Sequence, residues 1–165
     1  MIDIKQFREN ATKENLCSEY VQKWDACGSR KQYIDLALST KGVDYLCDSI
    51  AKGWGISPQY ICDNFNVFIN GNYISLQNGY DSEMYCRYKG EVLARTTVIS
   101  VLESEIEIKI PKSYLCHIYV AGKSKVNVKG EGECILICYG DNIETKHEGN
   151  VRFRQINKKE RDRYD

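Results

Sequence analysis

The chain reads as an α+β protein, with a short α-helical N-terminal region followed by an all-β C-terminal part. Three observations carry that reading. Apolar residues recur at helical period through the first 64 positions. Near Phe65 the pattern changes to two-residue alternation. From Glu105 onward, short alternating runs close on Gly122, Gly130, Gly140 and Gly149, eight, ten and nine residues apart. A regular beat of short strands marks a stacked β-architecture, which presents surfaces more often than it performs chemistry.

The elements follow in order. Thr12 is placed to cap a helix whose apolar stripe is Leu16, Tyr20, Val21 and Trp24, with Gly28 beyond its end. Ser29 is placed to cap the next, where Tyr33, Ile34, Ala37 and Leu38 share a face before Gly42. Val43, Leu46, Cys47 and Ile50 form a third stripe, closed by Gly53. Ser57-Pro58 sets a cap before a proline at the first helical position, so a short fourth helix runs to about Asn64.

Phe65–Ile69, the Asn70-Gly71 turn and Asn72–Leu76 then read as a hairpin, because Asn-Gly tolerates the positive φ of a type I′ turn. Gln77-Asn78-Gly79 is a second turn, followed by the run Glu83–Lys89 and Gly90. Residues 91–104 are apolar and β-branched, as in a buried strand. The beat follows as runs 105–110, 115–122, 125–130, 133–140, 142–149 and 150–154. The organisation expected is a helical region over 1–64, a β-stack over 65–156 and a charged tail over 157–165.

Alternation assigns faces within the beat. Ile106, Ile108 and Ile110 point one way, as do Cys116, Ile118 and Val120, then Val126 and Val128, then Cys134, Leu136 and Cys138, then Val151 and Phe153. Stacked, these make continuous inward columns. Glu105, Glu107, Lys109, His117, Tyr119, Lys125, Asn127 and Lys129 make a solvated outer side. A short β-helix, or solenoid, is favoured over a Greek-key sandwich, because the turns are glycine-centred and too short for crossing loops. The helical part is expected to cap one open end of the stack.

Composition narrows the function classes. Lys+Arg and Asp+Glu balance at 23 each, so the basic excess of a phosphate-gripping protein is missing. No nucleic acid and no membrane partner is expected, even though the stretches Val43–Ala51 and Pro58–Asn64 are spaced like a helix–turn–helix. The start, MIDIKQFREN, carries no apolar signal region, and no apolar run approaches the roughly 20 residues that span a bilayer. A cytoplasmic location is expected.

The eight cysteines (17, 27, 47, 62, 86, 116, 134, 138) are read as reduced wall material, since free Cys packs as a small hydrophobe. Cys134 and Cys138 lie about 13 Å apart along a strand, too far to share one zinc ion. His117 and His147 are read as surface residues. No nucleophile elbow, phosphate loop or dinucleotide turn is present. Glu103, Glu105 and Glu107 could suggest glycoside chemistry, but alternating glutamates suit a solvated strand face better. Trp54–Pro58 reads as a packed inter-helix corner. No catalytic residue, metal or cofactor is assigned.

The stretch ATKENLCSEYVQKWDACGSRKQYIDLALSTKGVDYLCDSIAKGWGISPQYI (11–61), followed by FINGNYI, resembles small uncharacterised proteins of gut-bacterial phages and mobile elements. In that group a cysteine-containing helical N-terminus precedes a short β-rich part. The resemblance implies an accessory role in an infected host cell and carries over no site residue.

The function expected is that of a non-enzymatic interaction or structural protein, meeting a protein partner or its own copies as a homo-oligomer. Tyr85, Tyr88, Tyr114 and Tyr119 are the expected interface contacts, since Tyr anchors interfaces at low entropic cost. A small-molecule or nucleotide binder acting at an oligomer junction is the alternative, and a carbohydrate-active β-helix the third reading.

Overall fold

The computed structural model describes residues 4–65, 70–77 and 80–158. Among them five short helices come first, α1 (Ile4–Lys13), α2 (Ser18–Asp25), α3 (Arg30–Ala37), α4 (Gly42–Lys52) and α5 (Pro58–Asn64). Ten strands follow: β1 (Asn72–Gln77), β2 (Tyr80–Cys86), β3 (Lys89–Leu93), β4 (Val98–Leu102), β5 (Glu105–Ile110), β6 (Leu115–Ala121), β7 (Ser124–Gly130), β8 (Glu133–Tyr139), β9 (Ile143–Gly149) and β10 (Arg152–Lys158). The chain is α+β and its β part is a β-helix.

From β2 onward the chain alternates between two parallel sheets. The first holds β2, β4, β6, β8 and β10, with β1 antiparallel on its edge, and the second holds β3, β5, β7 and β9. Two strands make one coil. Leu115 therefore pairs with Glu133 and Glu133 with Arg152, one coil on each time.

In-register stacking turns each inward position into a column. Glu83, Ile99, Ile118, Leu136 and Gln155 form one in the first sheet, and Tyr85, Val101, Val120, Cys138 and Asn157 form another. In the second sheet Val92, Ile108, Val128 and His147 stand in line. The middle members are the aliphatic and Cys side chains expected from the alternation, nearly all fully buried. Each such Ile or Leu, cut to Ala, costs about 2–5 kcal/mol.

The first-sheet columns begin at Glu83 and Tyr85, and at the last coil all three finish in polar groups. At the first coil the Glu83 carboxylate is wholly buried and accepts from the Tyr85 hydroxyl (2.9 Å), the Arg95 guanidinium (2.9 and 3.1 Å) and Thr96 Oγ1 (3.3 Å). At the last coil the His147 ring stacks on Phe153 at 4.5 Å, and Thr145, Gln155 and Asn157 hydrogen-bond in a chain. The last coil therefore meets solvent with polar side chains.

The helices consequently lie elsewhere than expected. They cover the outer face of the first sheet, where Val43, Leu46, Cys47 and Ile61 pack in one cluster with Met84, Val98, Leu102, Ala121, Ile137 and Tyr139. That face is apolar, whereas the last coil ends in the polar residues His147, Gln155 and Asn157, so burial favours the flank over that end. His117 and Tyr119 stand on this helix-bearing side, half-buried, and not on an open solvated face. His147 faces inward and is exposed because no further coil covers it.

Other boundaries also differ. Thr12 lies inside α1, its hydroxyl donating to the Arg8 carbonyl, and α2 starts after Cys17 with no side-chain cap. Ser29 and Ser57 do cap α3 and α5, accepting from the Gln32 and Tyr60 amides. Gly42 opens α4, where an added Cβ would meet the Leu36 carbonyl. Asn70 and Gly71 take φ of 52° and 75°, as a type I′ turn requires, while residues 66–69 and 78–79 of the expected hairpin and turn lie outside the described residues. Residues 91–104 are two strands joined by a corner at 94–97. Asn157 and Lys158, read as tail, belong to β10; residues 159–165 lie outside the described set.

One corner explains both the beat and where it faded. Arg87, Glu103, Gly122 and Gly140 each follow the aligned residues Cys86, Leu102, Ala121 and Tyr139, and all take left-handed backbone, with φ of 51°, 47°, 75° and 90°. The first two coils place there not glycine but an ion pair, Arg87 Nε donating to Glu103 at 2.6 Å. At the opposite corner Gly130 (φ 116°) leaves no room for a Cβ, which would meet the Ile110 carbonyl oxygen. Gly130→Ala is expected to lower stability by about 3 kcal/mol, read as a lower urea midpoint at unchanged slope.

Candidate functional site

With one sheet under the helices, the second sheet presents the uncovered face of the solenoid. Its outward residues stand in three rows: Lys89, Glu105, Lys125, Glu144; Glu91, Glu107, Asn127, Lys146; and Leu93, Lys109, Lys129, Glu148. Five lysines and five glutamates therefore share one face. In the first row the charges alternate, with Lys89–Glu105 at 3.7 Å and Lys125–Glu144 at 3.9 Å. Glu107 pairs with Lys129 and accepts from the Asn127 amide, which also reaches Glu148 at 3.3 Å. The hydrogen-bonded Lys129 ammonium holds Glu107 below the usual carboxylate range. Exposed pairs of this kind are each worth little, but they orient the face as a neutral lattice.

The carboxylates weighed for sugar chemistry are placed by this geometry. Glu103 sits at a corner bound to Arg87, and Glu105 and Glu107 are outward residues with lysine partners. Among the described residues, no group of three or more His, Cys, Asp or Glu side chains is placed to hold a metal ion. Trp54 is a packed corner, its Nε1 donating to buried Asp48 (2.9 Å) and its carbonyl accepting from Asn10 (2.8 Å). The helix α4, which carried the helix–turn–helix spacing, buries seven of its residues, Val43, Asp44, Leu46 and Cys47 among them.

The four tyrosines do not come together. Tyr85 is 1% exposed, inside the first coil with its hydroxyl on Glu83, so it is removed from the contact set. Burial, together with the Glu83 carboxylate, pushes its hydroxyl up to about 12. Tyr88 is half-buried, edge-on to Tyr85 at 5.1 Å. Tyr119 is half-buried against the helix cluster. Only Tyr114 of the four is exposed, at 38%.

The structure adds two residues that periodicity missed, Leu93 (53% exposed) and Leu115 (44%). Leu93 ends β3, Tyr114 precedes β6 and Leu115 opens it, so they border two successive turns, β3 to β4 and β5 to β6, on the side where the chain passes from the second sheet to the first. Both leucines sit in alternating runs whose outward positions are mostly polar, and that exception is the one signal the sequence held.

A second polar cluster ties the layers together. Asp44 on α4, 5% exposed, accepts from the Tyr139 hydroxyl (2.6 Å) and from Lys158 Nζ (3.4 Å), and that ammonium lies 5.8 Å over the Tyr139 ring. Helix, fourth coil and last strand meet at one carboxylate. No protein-family model, curated protein or solved structure matches the chain.

All eight cysteines are free thiols. Burial pushes the Cys116 and Cys138 thiols up to about 11 and Cys134 up to about 12. An unfolded thiol ionises near 9.0, so above that pH the unfolded chain releases protons that the folded chain keeps, and stability falls as pH rises. The urea midpoint is expected to hold to about pH 8.5 and to decline between roughly pH 9 and 12, less steeply in Cys138→Ala. A flat profile across that range would contradict the buried-thiol interior.

Proposed function

We propose that the protein works by contact rather than by catalysis, as an interaction or structural protein that associates with its own copies. The observation that carries this reading is the two turns bearing Leu93, Tyr114 and Leu115. These are the large apolar side chains left exposed among the described residues. Exposed apolar side chains beside a rigid stack suit an isologous two-fold contact, in which the same patch meets itself. The neutral lattice of the second sheet fits the rim of such a contact, polar and without net repulsion. Tyr114 is the aromatic anchor.

The setting we propose, an accessory protein of a phage or mobile element acting inside a host cell, is supported by the likeness of residues 11–61 and its companion segment. Within that setting the partner is a second copy of this chain.

Sedimentation of the wild-type chain is expected to give a dimer or larger species at micromolar concentration. Tyr114→Asp with Leu115→Asp should give a folded monomer with the wild-type circular-dichroism spectrum, whose melting temperature, unlike that of the wild type, does not rise with protein concentration. A wild-type chain that stays monomeric at every concentration would overturn the reading. A melting temperature raised by nucleotides or sugars would favour the ligand-binding alternative.

A further inference from the structure

We propose that Cys62 and Cys86 form a redox-active pair, a modification site at which a hydroperoxide closes a disulfide that fastens α5 to β2. The two Sγ atoms stand 3.8 Å apart, across 24 residues of chain. Cys62 is exposed on α5, whereas Cys86 is buried at the end of β2, 1% exposed, its thiol directed also at the Pro58 carbonyl at 3.6 Å. One thiol is thus open to an oxidant and the other is held beside it, out of reach. The other six cysteines are placed for packing: Cys116, Cys134 and Cys138 line the interior, Cys47 is buried in α4, and Cys17 and Cys27 are half-buried around α2.

The surroundings fix the geometry of approach. Ser57 caps α5 directly before it, so the helix carrying Cys62 is anchored at its start. Arg87, next to Cys86, bonds both to Glu103 on the solenoid and to Gln59 on α5, bridging the same two elements as the thiol pair. The sulfurs need to close from 3.8 Å to about 2 Å, a shift within reach of side-chain rotation and a small movement of a short helix.

The chemistry balances with the hydroperoxide as the only co-reactant. The Cys62 sulfur attacks the terminal peroxide oxygen, the O–O bond breaks, and an alcohol, or water from hydrogen peroxide, departs. Cys62 is then a sulfenic acid. The Cys86 sulfur attacks that sulfur, the S–O bond breaks, and the hydroxyl leaves with the Cys86 proton as water. Two thiols have lost two electrons and the peroxide has gained them. Burial, with Cys62 alongside, pushes the Cys86 thiol up, which keeps it protonated and leaves the first step to Cys62.

The test treats the full-length protein with hydrogen peroxide, then alkylates it under denaturing conditions and maps the peptides by mass. Free thiols are expected to fall from eight to six, with one cross-linked peptide pair joining Cys62 to Cys86. The melting temperature should rise by roughly 5 °C and return when dithiothreitol is added. Cys62→Ser, a change at an exposed position, should fold as the wild type does, keep its seven thiols and show no rise. Eight thiols surviving, over-oxidation of Cys62 with Cys86 untouched, or a cross-link between two chains through Cys62 would each overturn the proposal.

Discussion

Parallel, in-register stacking governs this molecule. Once Ile99 lies over Ile118 and Ile118 over Leu136, a side chain has no freedom to choose its neighbours, and every inward position must match the one above it in size and polarity. Medium aliphatic residues and cysteine meet that demand in the middle coils, where narrow space and strict alternation exclude larger groups. The same rule makes the two ends exceptional. A column that stopped at an isoleucine would leave apolar surface open to water, so the ends are finished by Glu83 with its donors and by His147, Phe153, Gln155 and Asn157. A buried carboxylate is costly unless its lone pairs are filled, and Glu83 has theirs filled from three residues.

With the last coil finished in polar groups, the large apolar surface left to cover is the outer face of the first sheet, and the helices take it. Their attachment is made directional by polar contacts at its margins. Asp44 gathers Tyr139 and Lys158 at one side, while Asp35 on α3 accepts from Tyr73 (2.6 Å) and Ser75 (3.0 Å) of β1 at the other. Between those two anchors the contact is apolar and would tolerate sliding. Buried polar pairs of this kind do more for register than for net stability.

The result is a body with two unlike sides. One is a helical layer joined to its sheet, and the other is a charged strand face on which Lys89, Lys125 and Lys129 are paired with glutamates. The contact we propose uses what interrupts this pattern, the exposed apolar side chains of Leu93, Tyr114 and Leu115. The seam between helices and solenoid carries the second interruption, the neighbouring thiols of Cys62 and Cys86. The first concerns association and the second the firmness of the layer, so they act on different properties.

The β-helix, the inward columns of the later coils, the caps at Ser29 and Ser57 and the packed role of most cysteines were legible in the residues, because each depends on local period or local backbone. The coil boundaries before Glu105 were not, since Arg87 and Glu103 occupy left-handed corners where later coils use glycine. The fate of the tyrosines was also out of reach. Tyr85 and Tyr114 look alike in sequence, yet one faces the interior of the first coil and the other a solvent corner. Alternation tells which residues share a face but not what lies against that face. Only the tertiary structure decided that the helices cover the flank and that Cys62 meets Cys86, because both follow from which coil is first and last in the stack, a property no local stretch of chain contains.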